Sequence, residues 1–148
     1  RPYQQSDWSR LCIIHDLARM DELRGANLVE AFVPLEVAAD KEGLFDYEVL
    51  VAEQDGLVLG FIAYSQDELA WLYVDPKCYR KGIARRLTLA FLDANPGVVR
   101  TEVLQGNDAA LGFYKSIGFV ESEIVTGRMP GNEQYSVTVH CLEYGGDA

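Results

Sequence analysis

The sequence predicts an α+β domain in which one mixed, mostly antiparallel, twisted sheet is flanked by helices. Three observations carry this. Tyr47–Glu53, Val58–Tyr64 and Glu68–Val74 are apolar runs of strand length, and Asp55-Gly56 between the first two is a hairpin-turn pair, so the three form an antiparallel meander. Helix-length apolar periodicity then alternates with one β-rich run, Val98–Leu104. Two further strand-like runs, Phe119–Val125 and Tyr135–Tyr144, flank a loop holding Gly127, Pro130 and Gly131. Elements in this order bury their apolar faces on a single sheet.

Taken in order, Ser6-Asp7 supplies an N-cap for a helix over Trp8–Met20, with Leu11, Ile14, Leu17 and Ala18 as its apolar stripe. Residues 21–46 are less regular. Leu23, Leu28, Ala31 and Phe32 predict a second short helix, broken near Pro34. After the meander, a helix runs from Ile83 to residue 93 and stops at the turn Asn95-Pro96-Gly97. Asn107-Asp108 caps the next helix, whose stripe is Ala110, Phe113, Tyr114 and Ile117, and Gly118 stands where a C′ glycine ends it.

The chain has 148 residues, 49% of them hydrophobic, which predicts one domain over 1–148 with its own core. No apolar run approaches the roughly 20 residues of a bilayer span, so no membrane partner is expected. No apolar stretch of a signal peptide follows Arg1-Pro2-Tyr3-Gln4-Gln5. That start lacks a methionine, so a few native residues are expected ahead of it. Cys12, Cys78 and Cys141 are far apart and make no zinc spacing. They predict a reducing, cytoplasmic compartment, with Cys12 and Cys141 as small core residues and no metal. His15 and His140 are expected to be structural.

A net charge of −10 argues against nucleic acid as a partner. The charge is uneven: Lys77, Arg80, Lys81, Arg85 and Arg86 fall within ten residues that hold no acid. Cations at a helix start oppose its dipole, at up to about 1 kcal/mol each, and an anionic ligand would relieve that cost. The stretch Tyr79-Arg80-Lys81-Gly82-Ile83-Ala84 lies between a strand, the turn Asp75-Pro76 and a helix start. Free N–H groups there make a phosphate seat, and Gly82 lets a ligand approach the backbone.

Two motifs give the chain its likeness to a family. Val74-Asp75-Pro76 followed by Tyr79–Ala84 is similar to the signature Gln/Arg-x-x-Gly-x-Gly/Ala, and Asn107-x-x-Ala110-x-x-Phe113-Tyr114-x-x-x-Gly118-Phe119 follows in order. Together they resemble the GNAT superfamily, the general-control-type N-acetyltransferases that use acetyl-CoA. The likeness covers about Leu57 to Phe119. One position departs from the pattern: Tyr79 stands where the family usually has Gln or Arg.

The resemblance implies a mechanism of direct transfer, in which a neutral amine attacks the thioester and a thiolate leaves. It implies that the backbone of Arg80, Lys81, Gly82, Ile83 and Ala84 holds the CoA pyrophosphate, with Arg85 adding charge. The backbone of Leu72, Tyr73 and Val74 would pair with the pantetheine arm, Val74 N–H would serve the oxyanion, and Asn107 would reach the arm. Tyr114 would protonate the thiolate, and Glu68 would be the general base, directly or through water. Trp71 and Tyr73 share a strand face and either wall the acceptor pocket or pack under a helix. Acidic Glu22, Glu30, Glu36 and Glu133 would attract a cationic amine.

The function expected is transfer of an acetyl group from acetyl-CoA to a primary amine, on a small molecule or a peptide. The alternative from another class is a catalytically weak CoA-sensing or partner-binding module. The apolar last strand is the expected interface of a homodimer.

Overall fold

The computed structural model describes residues 1–145. Its helices are α1 (Trp8–Gly25), α2 (Leu35–Lys41), α3 (Ile83–Ala94) and α4 (Asp108–Ile117), and its strands are β1 (Glu48–Gln54), β2 (Leu57–Tyr64), β3 (Leu69–Val74), β4 (Val99–Leu104), β5 (Val120–Arg128) and β6 (Ser136–Tyr144). The α+β class holds, and the sheet is divided. One antiparallel sheet has the order β1-β2-β3 and the other β4-β6-β5. They touch through a parallel bridge between Glu68 and Arg100, where Arg100 N–H donates to the Asp67 carbonyl at 2.8 Å and Thr101 Oγ1 to the Leu69 carbonyl at 2.9 Å. Beyond Leu69, no strand among the described residues covers the outer edge of β3. The parting of β3 from β4 makes the gap in which the candidate site lies.

The first sheet is sandwiched. Val49, Val51, Phe61, Ala63 and Trp71 face α1 and α2, where they meet Leu11, Ile14, Leu35 and Ala38. On the opposite face Ile62 packs with Leu87 and Phe91 of α3 and with Val99, Val103 and Leu142 of the second sheet. Alternation along each strand assigns these faces. Phe61, Ile62, Phe91, Leu11 and Ile14 are fully buried, each contributing roughly 1.5–3 kcal/mol of apolar burial.

Several sequence expectations are corrected. The first helix continues to Gly25, and no second helix spans Leu23–Phe32, where a short 3-10 turn at Val29–Ala31 stands instead. Pro34 starts α2 rather than breaking a helix, because the first turn needs no N–H donor from it. Leu17 is half exposed; it lies roughly 120° around the helix from Leu11 at 100° per residue, so the buried stripe is Leu11, Ile14, His15 and Ala18. Of the two cysteines expected in the core, Cys12 is half-buried and packs against it, whereas Cys141 is half-buried outside the core clusters. The last strand, β6, is the central strand of its sheet, with β4 and β5 on its two sides.

Candidate functional site

The seat predicted at residues 80–84 is open. Gly82 caps α3 in the left-handed region (φ 81°), and Arg80 is also left-handed (φ 64°). A Cβ built on Gly82 would meet nothing within 4 Å, so the glycine answers to its backbone angle and not to protein packing. Among the described residues the main-chain N–H groups of residues 82–85 donate to no carbonyl of the protein, the first donor of the helix being Arg86 N–H to the Gly82 carbonyl at 3.0 Å. Arg80, Lys81 and Arg85 are exposed around them. Such a turn is a ready anion seat.

The turn before the seat is anchored. Asp75 accepts from Lys77 N–H at 3.0 Å and from Arg10 Nη2 at 3.0 Å. Tyr79, at the departing position, donates from its hydroxyl to Asp21 Oδ2 at 3.3 Å. Burial, then the Asp21 carboxylate, push its phenol above the ordinary value, so it is a neutral tether to α1 rather than a charged ligand.

From the seat a cavity of about 1280 Å³ follows the gap, with β3 on one side and residues 101–104 of β4 on the other. Leu72, Tyr73, Val74, Arg80, Gly82, Ile83, Ala84, Arg85, Asn107, Tyr114 and Glu68 all line it; Lys81 is exposed at its rim. The open edge of β3 is thus presented to it as a strand without a partner, which an extended ligand arm can pair with.

Tyr114 is buried, 6% exposed, between Phe113 and Phe119 at ring separations of 5.1 and 5.2 Å. Burial pushes its phenol above the ordinary value, against a smaller opposing contribution from Thr101. It therefore keeps its proton at neutral pH. Asn107 caps α4, its Oδ1 accepting from Ala110 N–H at 3.3 Å, while its Nδ2 donates to Glu22 Oε2 at 3.3 Å. Glu68 sits apart from this group, exposed at the Leu69 end of the gap, where it accepts from Tyr47 Oη at 3.0 Å.

Sequence reasoning named Glu22 but missed Arg19 of α1 and Lys41 and Glu42 at the end of α2, which also line the cavity. Arg19 donates to Glu22 Oε1 at 2.7 Å, and Tyr73 Oη donates to the same oxygen at 3.1 Å. Burial raises the Glu42 carboxyl, offset in part by Arg19 and reinforced by Glu133. Of the four acidic residues expected to attract an amine, Glu22 and Glu133 line the cavity and Glu30 and Glu36 do not. Spacing four apart on α1 marks Ala18 and Glu22 as one face, the available signal for Glu22. Trp71 and Tyr73 pack on His15 of α1, at ring distances of 5.9 and 4.9 Å, and also line the cavity. Among the described residues, no group of three or more His, Cys, Asp or Glu side chains is arranged to hold a metal.

The profile of the acetyltransferase (GNAT) domain matches residues 45–121, just over half of the chain. The chain is 37% identical over 70 residues to the peptidyl-lysine N-acetyltransferase YiaC of Escherichia coli, a match covering 47% of each protein. It is 39% identical over 77 residues to the N-alpha-acetyltransferase RimI of Mycobacterium tuberculosis, covering 46% of this chain and 49% of that one. The chain spans about half the length of the curated relatives it matches. A GCN5-related N-acetyltransferase structure from Rhodopseudomonas palustris superposes with a TM-score of 0.77 at 20% identity, over 97% of this chain and 92% of that one. That likeness concerns the fold. The match of the domain profile across β1–β3, the anion seat and α4 joins the two motifs and the gap between them into one conclusion: the chain belongs to the GNAT acetyltransferase domain family.

Proposed function

We propose that the domain transfers an acetyl group from acetyl-CoA directly to a primary amine, on a small molecule or a peptide. The carrying observation is the open anion seat at residues 80–85 continuing into an unpaired strand edge that leads past Tyr114. Diphosphate oxygens accept from the free amides, with Arg80, Lys81 and Arg85 around them. The arm lies along Leu72, Tyr73 and Val74, and Val74 N–H stabilises the oxyanion. Asn107 contacts the arm from the other wall.

Tyr114 donates to the departing thiolate, and its buried, protonated state supports that role. An alkylammonium has a pKa of about 10.4 and must lose a proton before its nitrogen attacks. Glu68 receives that proton through water; its exposed position and its Tyr47 hydrogen bond favour a relay over direct contact. A reducing, cytoplasmic compartment belongs to the same reading, as do the names of the relatives, which act on lysine side chains and N-termini.

Titration calorimetry with acetyl-CoA, beside a Gly82→Trp control, tests the proposal. Binding by the parent and none by the control is expected, and no binding by the parent defeats it. An amine panel monitored for CoA release separates catalysis from sensing: saturable binding without release would favour a CoA-sensing module.

A further inference from the structure

Where the two sheets part, the last turns of α1 reach across the gap. Glu22 Oε1 accepts from Tyr73 Oη of β3 at 3.1 Å, and Oε2 accepts from Asn107 Nδ2 at the head of α4 at 3.3 Å. Arg19 adds a third donor at 2.7 Å. The backbones meet beside it: a Cβ on Gly106 would lie 2.5 Å from the Gly25 carbonyl oxygen, and Gly106 is left-handed at φ 102°. The close approach of α1 to the β4–α4 loop therefore depends on that glycine. The gap is pinned at one end by the contacts of Leu69 with Thr101 and at the other by Glu22.

We propose that Glu22 is a positioning residue that sets the width of this gap and orients the Asn107 amide toward the acyl donor. The inference rests on the acetyl-CoA reading of the site. A primary amide offers one oxygen and two N–H groups. Asn107 commits its oxygen to Ala110 N–H and one N–H to Glu22. The plane of the amide is thereby fixed, and the second N–H is left for the cavity that Asn107 lines. Three donors converge on Glu22, from Arg19, Tyr73 and Asn107. A carboxylate has acceptors for all of them, and a charged acceptor makes the stronger bonds. Glutamine fills the same volume but turns an NH₂ toward one of those donors, so the arrangement requires the acid.

A double-mutant cycle tests this. Acetyl-CoA affinity is measured by calorimetry for the parent, Glu22→Gln, Asn107→Ala and the double variant, with thermal unfolding of each. Glu22→Gln is expected to weaken binding about five- to tenfold in the parent and less than about twofold once Asn107 is alanine, since contacting residues couple. Equal losses in both backgrounds, or unchanged affinity in folded Glu22→Gln, overturn the proposal. Glu22→Asp, one methylene shorter, covers the case in which the glutamine variant does not fold: it should also lose affinity, and unchanged binding again sinks the idea. A parent that binds no acetyl-CoA overturns the functional reading and this inference together, whereas a binding parent with indifferent variants overturns this inference alone.

Discussion

Arg10 and Asp75, 65 positions apart, meet at 3.0 Å, and the same guanidinium donates twice to the Val58 carbonyl at 3.0 and 2.7 Å. The pair ties α1 to the turn that precedes residues 80–85. Burial works against the Asp75 charge, but the Lys77 amide and the Arg10 guanidinium outweigh it and hold the carboxyl below its ordinary value. We predict that Asp75→Ala costs about 2–4 kcal/mol by urea denaturation, because a part-buried Arg10 and the Lys77 amide lose their acceptor. The folded pKa is the lower one, so this stabilisation is full above the unfolded value of about 3.9 and is lost as pH falls through the folded value. A variant with the parent's stability and acid limb would remove the pair from this role.

Gly82 separates folding from binding. Its φ of 81° costs a side-chain-bearing residue about 1–2 kcal/mol, and no atom stands within 4 Å of a built Cβ. Gly82→Ala should therefore lose no more than that in stability while acetyl-CoA affinity falls at least tenfold. Intact affinity in calorimetry would show that the ligand does not approach this backbone.

For Tyr114, Phe substitution removes the proton donor and keeps the ring. Turnover should fall about 10²-fold with acetyl-CoA affinity changed less than about twofold. The folded phenol is raised by burial, so its protonated form persists beyond the ordinary tyrosine value of about 10. Turnover limited by this group should hold through pH 10 and decline only above it. A decline centred below 10 that disappears in Tyr114→Phe would contradict this.

His15 is 2% exposed, beneath Trp71 and Tyr73, and its Nδ1 lies 2.9 Å from Asp16 Oδ1. Burial lowers its pKa, with Asp16 opposing. The unfolded chain therefore takes up this proton first. Stability is full above about pH 6.5 and falls as pH drops toward the folded value. His15→Gln should flatten that part of the stability profile in urea denaturation between pH 7.5 and 5. An unchanged slope would assign it elsewhere.

The elements with a strict period were legible. The meander, α3 and α4 follow from alternation, helical spacing and the caps Asn107 and Gly118. The open helix start at residues 82–85 was legible too, since it is made of neighbouring residues and Gly82 marks it. Residues 21–46 were not, because short turns and a seven-residue helix leave too few repeats to define a period. Pro34 carries the same local preference whether it ends one helix or begins another.

By itself the sequence determined what depends on neighbours along the chain: the strands of the meander, the helices α3 and α4 with the caps Asn107 and Gly118, and the glycine and basic residues at 80–86. Tertiary structure decided what depends on distance in space. It divided the sheet at β3 and β4, took both edges of β6, and brought Glu22 to Tyr73 and Asn107, 51 and 85 residues away. A carboxylate on a helix face looks the same in sequence whether it meets water or three donors. The difference is made when distant backbones close on one another, as at Gly25 and Gly106, and the hydrogen bonds across that contact fix the shape of the cavity.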